Sequence, residues 1–429
     1  MDRRLFLVLT AAGIADPGRS PLPGAGPEPG QTPQTDVASG APAGTGDTGF
    51  DAWLQSFYQR SATQGFATAL LQRELSGLTP DPRVTALDSR QPELSKPIGD
   101  YMRSAVSEKA IGLGRAKYGP AQASWLPAIQ DRFGVPGQIL VAIWGAESSY
   151  GAVQGDMDVI RSLATLAAQG RRRDWAESQI WDALRMIMSG EVNRRQLRGS
   201  WAGAMGQTQM IPEAYLSTAV DGDGDGRRDI WNSPADALAS AANLLASYGW
   251  KKGGGWAREV LLPAGFDYGV TEGPKQTPSA WALEGVQAAS GAEWGEVDSG
   301  AEAQLITPAG AKGPAFLVLP NHFAIRRYNN STSYALAVGL LADRIAGAAP
   351  LTAPWPVEPP MTSQDRIGAQ QALMSLGFSP GEADGVIGIN TRAAVRAWQK
   401  ARNLPADGYL TVEVSHRLQA EAGGAATRN

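Results

Sequence analysis

The chain has 429 residues, 43% of them hydrophobic, a formal net charge of -4 and no cysteine. That length allows two or three domains of ordinary globular composition, and the mild acidity leaves no basic footprint for nucleic acid. With no thiol and only two histidines, His322 and His416, thiol catalysis, zinc clusters and most Ser-His-Asp arrangements lack their parts, so any chemistry falls to oxygen acids.

At the amino terminus, Arg3 and Arg4 precede an apolar stretch through Ala15 that is too short to span a bilayer. Residues 1–15 are therefore expected to be an export signal of Sec or twin-arginine type, directing the chain to the periplasm. No cysteine follows to take a lipid anchor, and no later segment is long and apolar enough for a membrane span. Residues 16–48 turn to Pro, Gly, Ala, Thr and Ser without apolar periodicity, which predicts a disordered linker.

Helical patterning starts near Phe50 with Trp53, Phe57 and Tyr58, and a main, mainly α domain is expected over 49–348. Ser233 and Pro234 open one helix that Gly249 closes; another starts near Ser333. Between them, short apolar runs at 260–262, 304–306 and 316–319 predict a small β insertion. Pro354, Pro356 and Pro359 mark a stiff linker over 349–360, followed by a unit over 361–422 whose pattern fits three short helices.

Four motifs carry the chemistry. Pro136 is placed to open a helix whose apolar stripe uses Leu140, Ile143 and Trp144, and Glu147 continues that stripe just before the stop signal Gly151. A carboxyl on an apolar face near a helix's negative end has its charged form disfavoured and can hold a proton near neutral pH. A structural glutamate satisfied by a core arginine or by backbone donors fits those residues equally well.

The second motif, Gly199-Ser200-Trp201-Ala202-Gly203-Ala204-Met205-Gly206-Gln207-Thr208-Gln209, combines small residues that permit close backbone approach with amides able to bind sugar groups. The third runs from Asp221 to Asn232 and fits an EF-hand-type loop: Asp221, Asp223, Asp225 and Asp229 at positions one, three, five and nine, with Gly226 at six. Arg227 would offer its carbonyl, and Asn232 stands where a bidentate glutamate is usual. A solvated acidic turn is the alternative reading.

Glu147-Ser148-Ser149-Tyr150-Gly151, the glutamine motif and a later run, Arg327-Tyr328-Asn329-Asn330-Ser331-Thr332-Ser333-Tyr334, occur in the order that resembles the B family of lytic murein transglycosylases. The resemblance implies a lysozyme-like α+β catalytic domain, with Glu147 as acid/base and Ser148, Ser200, Gln207, Gln209, Tyr328 and Asn329 as substrate contacts. It further implies cleavage of the β-1,4 bond between N-acetylmuramic acid and N-acetylglucosamine in peptidoglycan, leaving 1,6-anhydromuramic ends. No catalytic cofactor is expected, and calcium in the 221–232 loop would be structural. The fourth motif is the 361–422 unit with Asp384-Gly385, Trp398-Gln399 and Asp407-Gly408, which resembles a peptidoglycan-binding module and implies glycan strands as the partner. Two alternatives stay open: a hydrolytic muramidase, if Asp156, Asp158 or Glu213 supplied a second carboxylate, and a noncatalytic wall-binding scaffold.

Overall fold

The computed structural model describes residues 44–88, 96–122, 124–170 and 172–426. The predicted export signal and almost all of the 16–48 linker lie outside the described residues. The described residues divide into two compact units, one holding those of 96–153 and 218–426, the other those of 44–88 and 154–217. The division runs through the segment read from sequence as one domain.

The smaller unit is mainly helical, with one short antiparallel pair, Met157–Asp158 with Arg198–Gly199. Asp47 caps the helix Thr48–Thr63 by accepting from the N–H groups of Gly49 and Phe50, which satisfies two donors that the helix start would otherwise leave open. Its inner face stacks Trp53 on Phe57 at 5.3 Å and Phe57 on Trp181 at 5.6 Å. The buried Trp53 indole donates to Glu177 Oε1 at 2.8 Å, so the apolar ring is buried without stranding its N–H. Helices Val159–Gln169 and Arg173–Met188 pack together beside it.

In the larger unit, the helix Gly137–Ser148 packs against Thr332–Ile345, Glu108–Lys117, Leu126–Phe133 and Pro234–Ser247. The sequence reads as a single apolar stripe, but every residue from Ile139 to Trp144 is buried. Neighbours on several sides explain the difference, since a helix apolar all round belongs inside a core. The helix stops before Gly151: Ser149, Tyr150 and Gly151 have φ of 51°, 61° and 82°, and Ser149 and Tyr150 donate to the carbonyls of Gly145 and Trp144.

The β insertion is an antiparallel five-stranded sheet in the order Lys275–Gln276, Ala303–Ile306, Ala315–Val318, Ala257–Leu261, Gln287–Ala288. The three predicted apolar runs supply its three central strands, and Trp281, Leu305, Leu317 and Leu319 form its core. The C-terminal module has the expected three helices, Ser363–Ser375, Ile389–Lys400 and Val412–Ala426. Its core includes Leu373, Val395, Leu418 and the fully buried Trp398, which makes Trp398 a packing residue and not a sugar platform. The module falls in the same compact unit as the Glu147 helix and the sheet.

Where the sheet meets the helices, a methyl added at Gly339 would fall inside the buried Trp256 indole. Gly339→Ala is expected to lower stability by about 1–3 kcal/mol through overpacking, read as a reduced denaturant midpoint with an unchanged slope.

Candidate active site

Glu147 lies one residue before the end of its helix and is 5% exposed. Its Oε1 accepts a 2.6 Å hydrogen bond from the buried Tyr334 hydroxyl. Tyr334 sits in the first turn of Thr332–Ile345, whose start is capped by Ser331 Oγ accepting from the Tyr334 N–H at 3.2 Å. Two helices therefore fix the two partners independently.

Burial pushes the Glu147 carboxyl up to about 7, against the opposing pull of the Tyr334 hydrogen bond. The sign follows from desolvation, which penalises only the charged form, while a phenol donor favours the carboxylate. Tyr334 itself is held well above its ordinary value, by burial first and then by the neighbouring Glu147 and Tyr328, so it remains a donor.

The turn after Glu147 is braced. Tyr150 meets Trp144 edge to face at 5.7 Å and its hydroxyl donates to the Ala110 carbonyl at 3.2 Å. A Cβ at Gly145 would come within 2.7 Å of the Tyr150 ring, so the glycine makes room for this tyrosine. The contacts offset the cost of left-handed backbone at two residues with side chains, about 1–2 kcal/mol apiece. Ser148 is 1% exposed; its hydroxyl donates to Trp144 O at 3.3 Å and accepts from Gly151 N at 2.8 Å. It clamps the helix end. Tyr328 closes the helix Pro320–Tyr328 and Asn329 follows as its cap, both 8% exposed.

Ser200, Gln207 and Gln209 share one turn-rich segment of the other unit. Ser200 Oγ accepts from Ala202 N and Ala204 N, and Met205 pairs with Met210 through both backbone bonds. Gln209 has φ of 51°, and its Nε2 donates to Gln154 O at 3.0 Å and Gly206 O at 2.8 Å. Its Oε1 is buried without a partner, a costly condition that a bound donor would relieve. Of the carboxylates weighed as a second acid, Asp158 caps Val159–Gln169 and pairs with Arg194 at 2.8 Å, Glu213 accepts from Gln179 at 3.2 Å, and Asp156 is exposed.

In the acidic loop, the oxygens of Asp221, Asp223 and Asp236 lie within 4.8 Å of one another. Asp225 and Asp229 are not gathered with them: Asp225 accepts from Arg227 N, and Asp229 from Trp231 N and Asn232 N. Asp236 escaped the sequence reading because it sits in the first turn of Pro234–Ser247, where an acidic residue already has a local reason to be. It is fully buried and accepts from Gly222 N at 2.8 Å and Asp229 N at 2.7 Å, tying the helix to the loop. His322, 1% exposed and stacked near Trp256, is pushed down to about 3 by burial and then by Arg326; it is an uncharged core histidine.

A helix-borne acid whose charged form burial disfavours, oriented by a buried phenol, is suited to acid–base chemistry near neutral pH. The family described as Transglycosylase SLT domain matches residues 49–343, and a peptidoglycan binding domain family matches 362–418. The chain belongs to the Transglycosylase SLT family, of the lytic murein transglycosylase B type. It is 33% identical over 216 residues to membrane-bound lytic murein transglycosylase B of Escherichia coli (strain K12), a match spanning 50% of this chain and 58% of that protein. Among solved structures it is similar to SltB3 from Pseudomonas aeruginosa in complex with NAG-anhNAM-pentapeptide, at 44% identity, TM-score 0.81, 86% of this chain and 99% of that one. It also resembles the Escherichia coli lytic transglycosylase SLT35 in complex with calcium, at 29% identity, TM-score 0.59, 68% of this chain and 92% of that one.

Linkage gives a test of the buried acid that needs no substrate. Between the ordinary carboxyl value and about 7, the folded protein binds more protons than the unfolded chain, so this group lowers stability as pH rises through that window. Glu147→Gln is expected to stabilise the protein at pH 8 by on the order of 3 kcal/mol and to give almost no gain at pH 4, measured by chemical denaturation. Tyr334→Phe removes the phenol donor to the carboxylate and is expected to move the upper end of that window upward.

Proposed function

We propose that the chain cleaves the β-1,4 bond between N-acetylmuramic acid and N-acetylglucosamine in peptidoglycan as a lytic transglycosylase, with Glu147 as its acid and base. The observation that supports this most directly is the buried Glu147 carboxyl, raised to about 7 and oriented by Tyr334. Near neutral pH about half of such groups carry the proton.

In the proposed reaction, Glu147 delivers its proton to the glycosidic oxygen as the bond to the muramic anomeric carbon breaks. Positive charge develops on that carbon, next to a carboxylate that has just become anionic. The carboxylate then accepts the proton of the muramic 6-hydroxyl, whose oxygen bonds to the anomeric carbon and closes the 1,6-anhydro ring. The proton is back on Glu147 and no water is consumed. One carboxyl suffices, and the commitments of Asp158 and Glu213 to structural partners favour this over the two-carboxylate muramidase scheme. Gln209 Oε1, buried without a partner, is assigned to accept from a substrate hydroxyl or acetamido N–H; Ser200, Gln207, Tyr328 and Asn329 complete the proposed contacts, and Ser148 positions the acid. The module at 362–418 would hold the enzyme on the polymer and raise its effective concentration there. Envelope location fits such a substrate, and periplasmic export through the 1–15 segment is part of this proposal; no described helix is long and apolar enough to cross a membrane.

Glu147→Gln is expected to reduce formation of 1,6-anhydro ends by at least about 10²-fold, read by mass spectrometry of digested sacculi, with co-sedimentation on sacculi intact. Reducing ends from the native chain would instead establish a muramidase, and undigested polymer with co-sedimentation a binder.

The calcium reading rests on a donor set of carboxylates alone. Asp221, Asp223 and Asp236 converge, which suits a hard cation, and backbone N–H donors, Gly226 and Gly224 first, hold Asp221 below the usual carboxylate range. These residues would hold the ion and staple the loop to the helix Pro234–Ser247, apart from the chemistry. Calcium is expected to raise the melting temperature of the native chain, and Asp223→Asn to remove most of that rise while leaving calcium-free stability nearly unchanged. Equal melting curves with and without calcium would leave the acidic-turn reading standing.

A further inference from the structure

The 361–422 module reads from sequence as an anchor on a Pro-rich linker, yet it is fastened to the β insertion at three separate places. The first is an ion cluster. Glu272, on the loop before Lys275–Gln276, has φ of 60° and is held there by its N–H donating to Leu305 O at 2.8 Å. Its carboxylate takes Arg392 two-pronged, Nε to Oε2 at 2.9 Å and Nη2 to Oε1 at 2.8 Å, and Arg396 Nη2 at 2.8 Å. Burial alone would raise this carboxyl, but the bonds to Arg392 and then Arg396 outweigh it and leave it below its ordinary value. Both arginines project from the module helix Ile389–Lys400.

The second fastening joins Asp407 Oδ2 to Ala311 N at 2.9 Å. Here Gly310 has φ of 64°, and a Cβ would come within 2.5 Å of Asp407 Oδ2 and 2.7 Å of Tyr409 Cβ. The third is the linker. Thr352 N and Ala353 N each donate to Glu259 at 2.8 Å, Trp355 stacks on Phe316 at 6.2 Å, and Tyr409 Oη donates to Glu358 Oε2 at 2.7 Å. Glu259 and Phe316 are paired residues of adjacent strands, so the linker lies strapped on the sheet.

We infer that the β insertion is a dedicated docking surface for the peptidoglycan-binding module, locked through Glu272, Arg392 and Arg396, so that a strand held by the module is presented to Glu147 at a fixed offset. Charge complementarity selects the occupant: the surface offers a carboxylate and a backbone donor, and the module answers with two guanidiniums and Asp407. A bidentate arginine fork is direction-specific as well as attractive. A flexible tether would only concentrate the enzyme near polymer, whereas a fixed module also sets which part of an anchored strand reaches the acid. The inference rests on the wall-binding reading above.

Charge reversal tests it in the full chain. Glu272→Arg, and separately Arg392→Glu with Arg396→Glu, are expected to increase the radius of gyration in small-angle scattering and to speed proteolytic nicking within 349–360 at least tenfold. The triple combination, which restores opposite charges with the sides exchanged, is expected to recover at least half of the native protease resistance. A variant that merely misfolds would not be rescued. Turnover of soluble glycan fragments should stay within about twofold, while release of products from insoluble sacculi falls at least fivefold. Unchanged scattering and nicking in both reversals would overturn the lock; released modules with native sacculus digestion would overturn the fixed offset. Failure of the native chain to bind sacculi would instead sink the wall-binding reading, and the scattering result would still stand.

Discussion

The constraint on which this site depends is the burial of one carboxyl together with one phenol donor. Burial and the Tyr334 hydrogen bond act on Glu147 in opposite directions, and the balance leaves it able both to give and to take a proton near neutrality. Neither influence alone suits that task. Burial without the donor would keep the group protonated past neutrality and leave little carboxylate to act as base, and the donor without burial would hold it below the ordinary carboxyl range.

Much of the surrounding architecture serves to keep that balance fixed. The acid's helix is buried on several sides, so it cannot tilt to hydrate its end. Ser148 and the left-handed turn of Ser149 and Tyr150 close the helix directly after the acid, and Gly145 admits the Tyr150 ring. On the opposite side, the Ser331 cap sets where Thr332–Ile345 begins and hence where the Tyr334 hydroxyl lies. These are short-range devices, each legible as a cap or turn, whose common effect is the position of two oxygen atoms.

The fold was readable where periodicity and punctuation agree. Ser233-Pro234 and the Pro-rich break did open and bound elements, and the three apolar runs became the central strands because each has turn residues on both sides. What escaped was what depends on meeting at a distance. Tyr334 lies within the Arg327–Tyr334 run, but nothing in its sequence context says that its hydroxyl meets Glu147, 187 residues away. Asp236 looked like a helix-start acid, and its second role appears only when the loop folds back on it. The apolar stripe around Glu147 was also underestimated, because a helix buried on several sides and one buried on a single face share the same strongest residues.

The joint to the C-terminal module extends the same lesson to domain organisation. Prolines at 354, 356 and 359 mark a stiff connection, yet stiffness in a linker says nothing about where its far end is held. That is decided by Glu272, a residue with side chain in a backbone region that favours glycine, facing arginines 120 and 124 positions further along. A left-handed glutamate kept by a backbone bond to Leu305 is an expense without return if the module swings freely. It becomes intelligible when the carboxylate must point at one fork on one helix, and an enzyme acting on an insoluble network gains from that rigidity, because diffusion cannot bring the far strand to the acid.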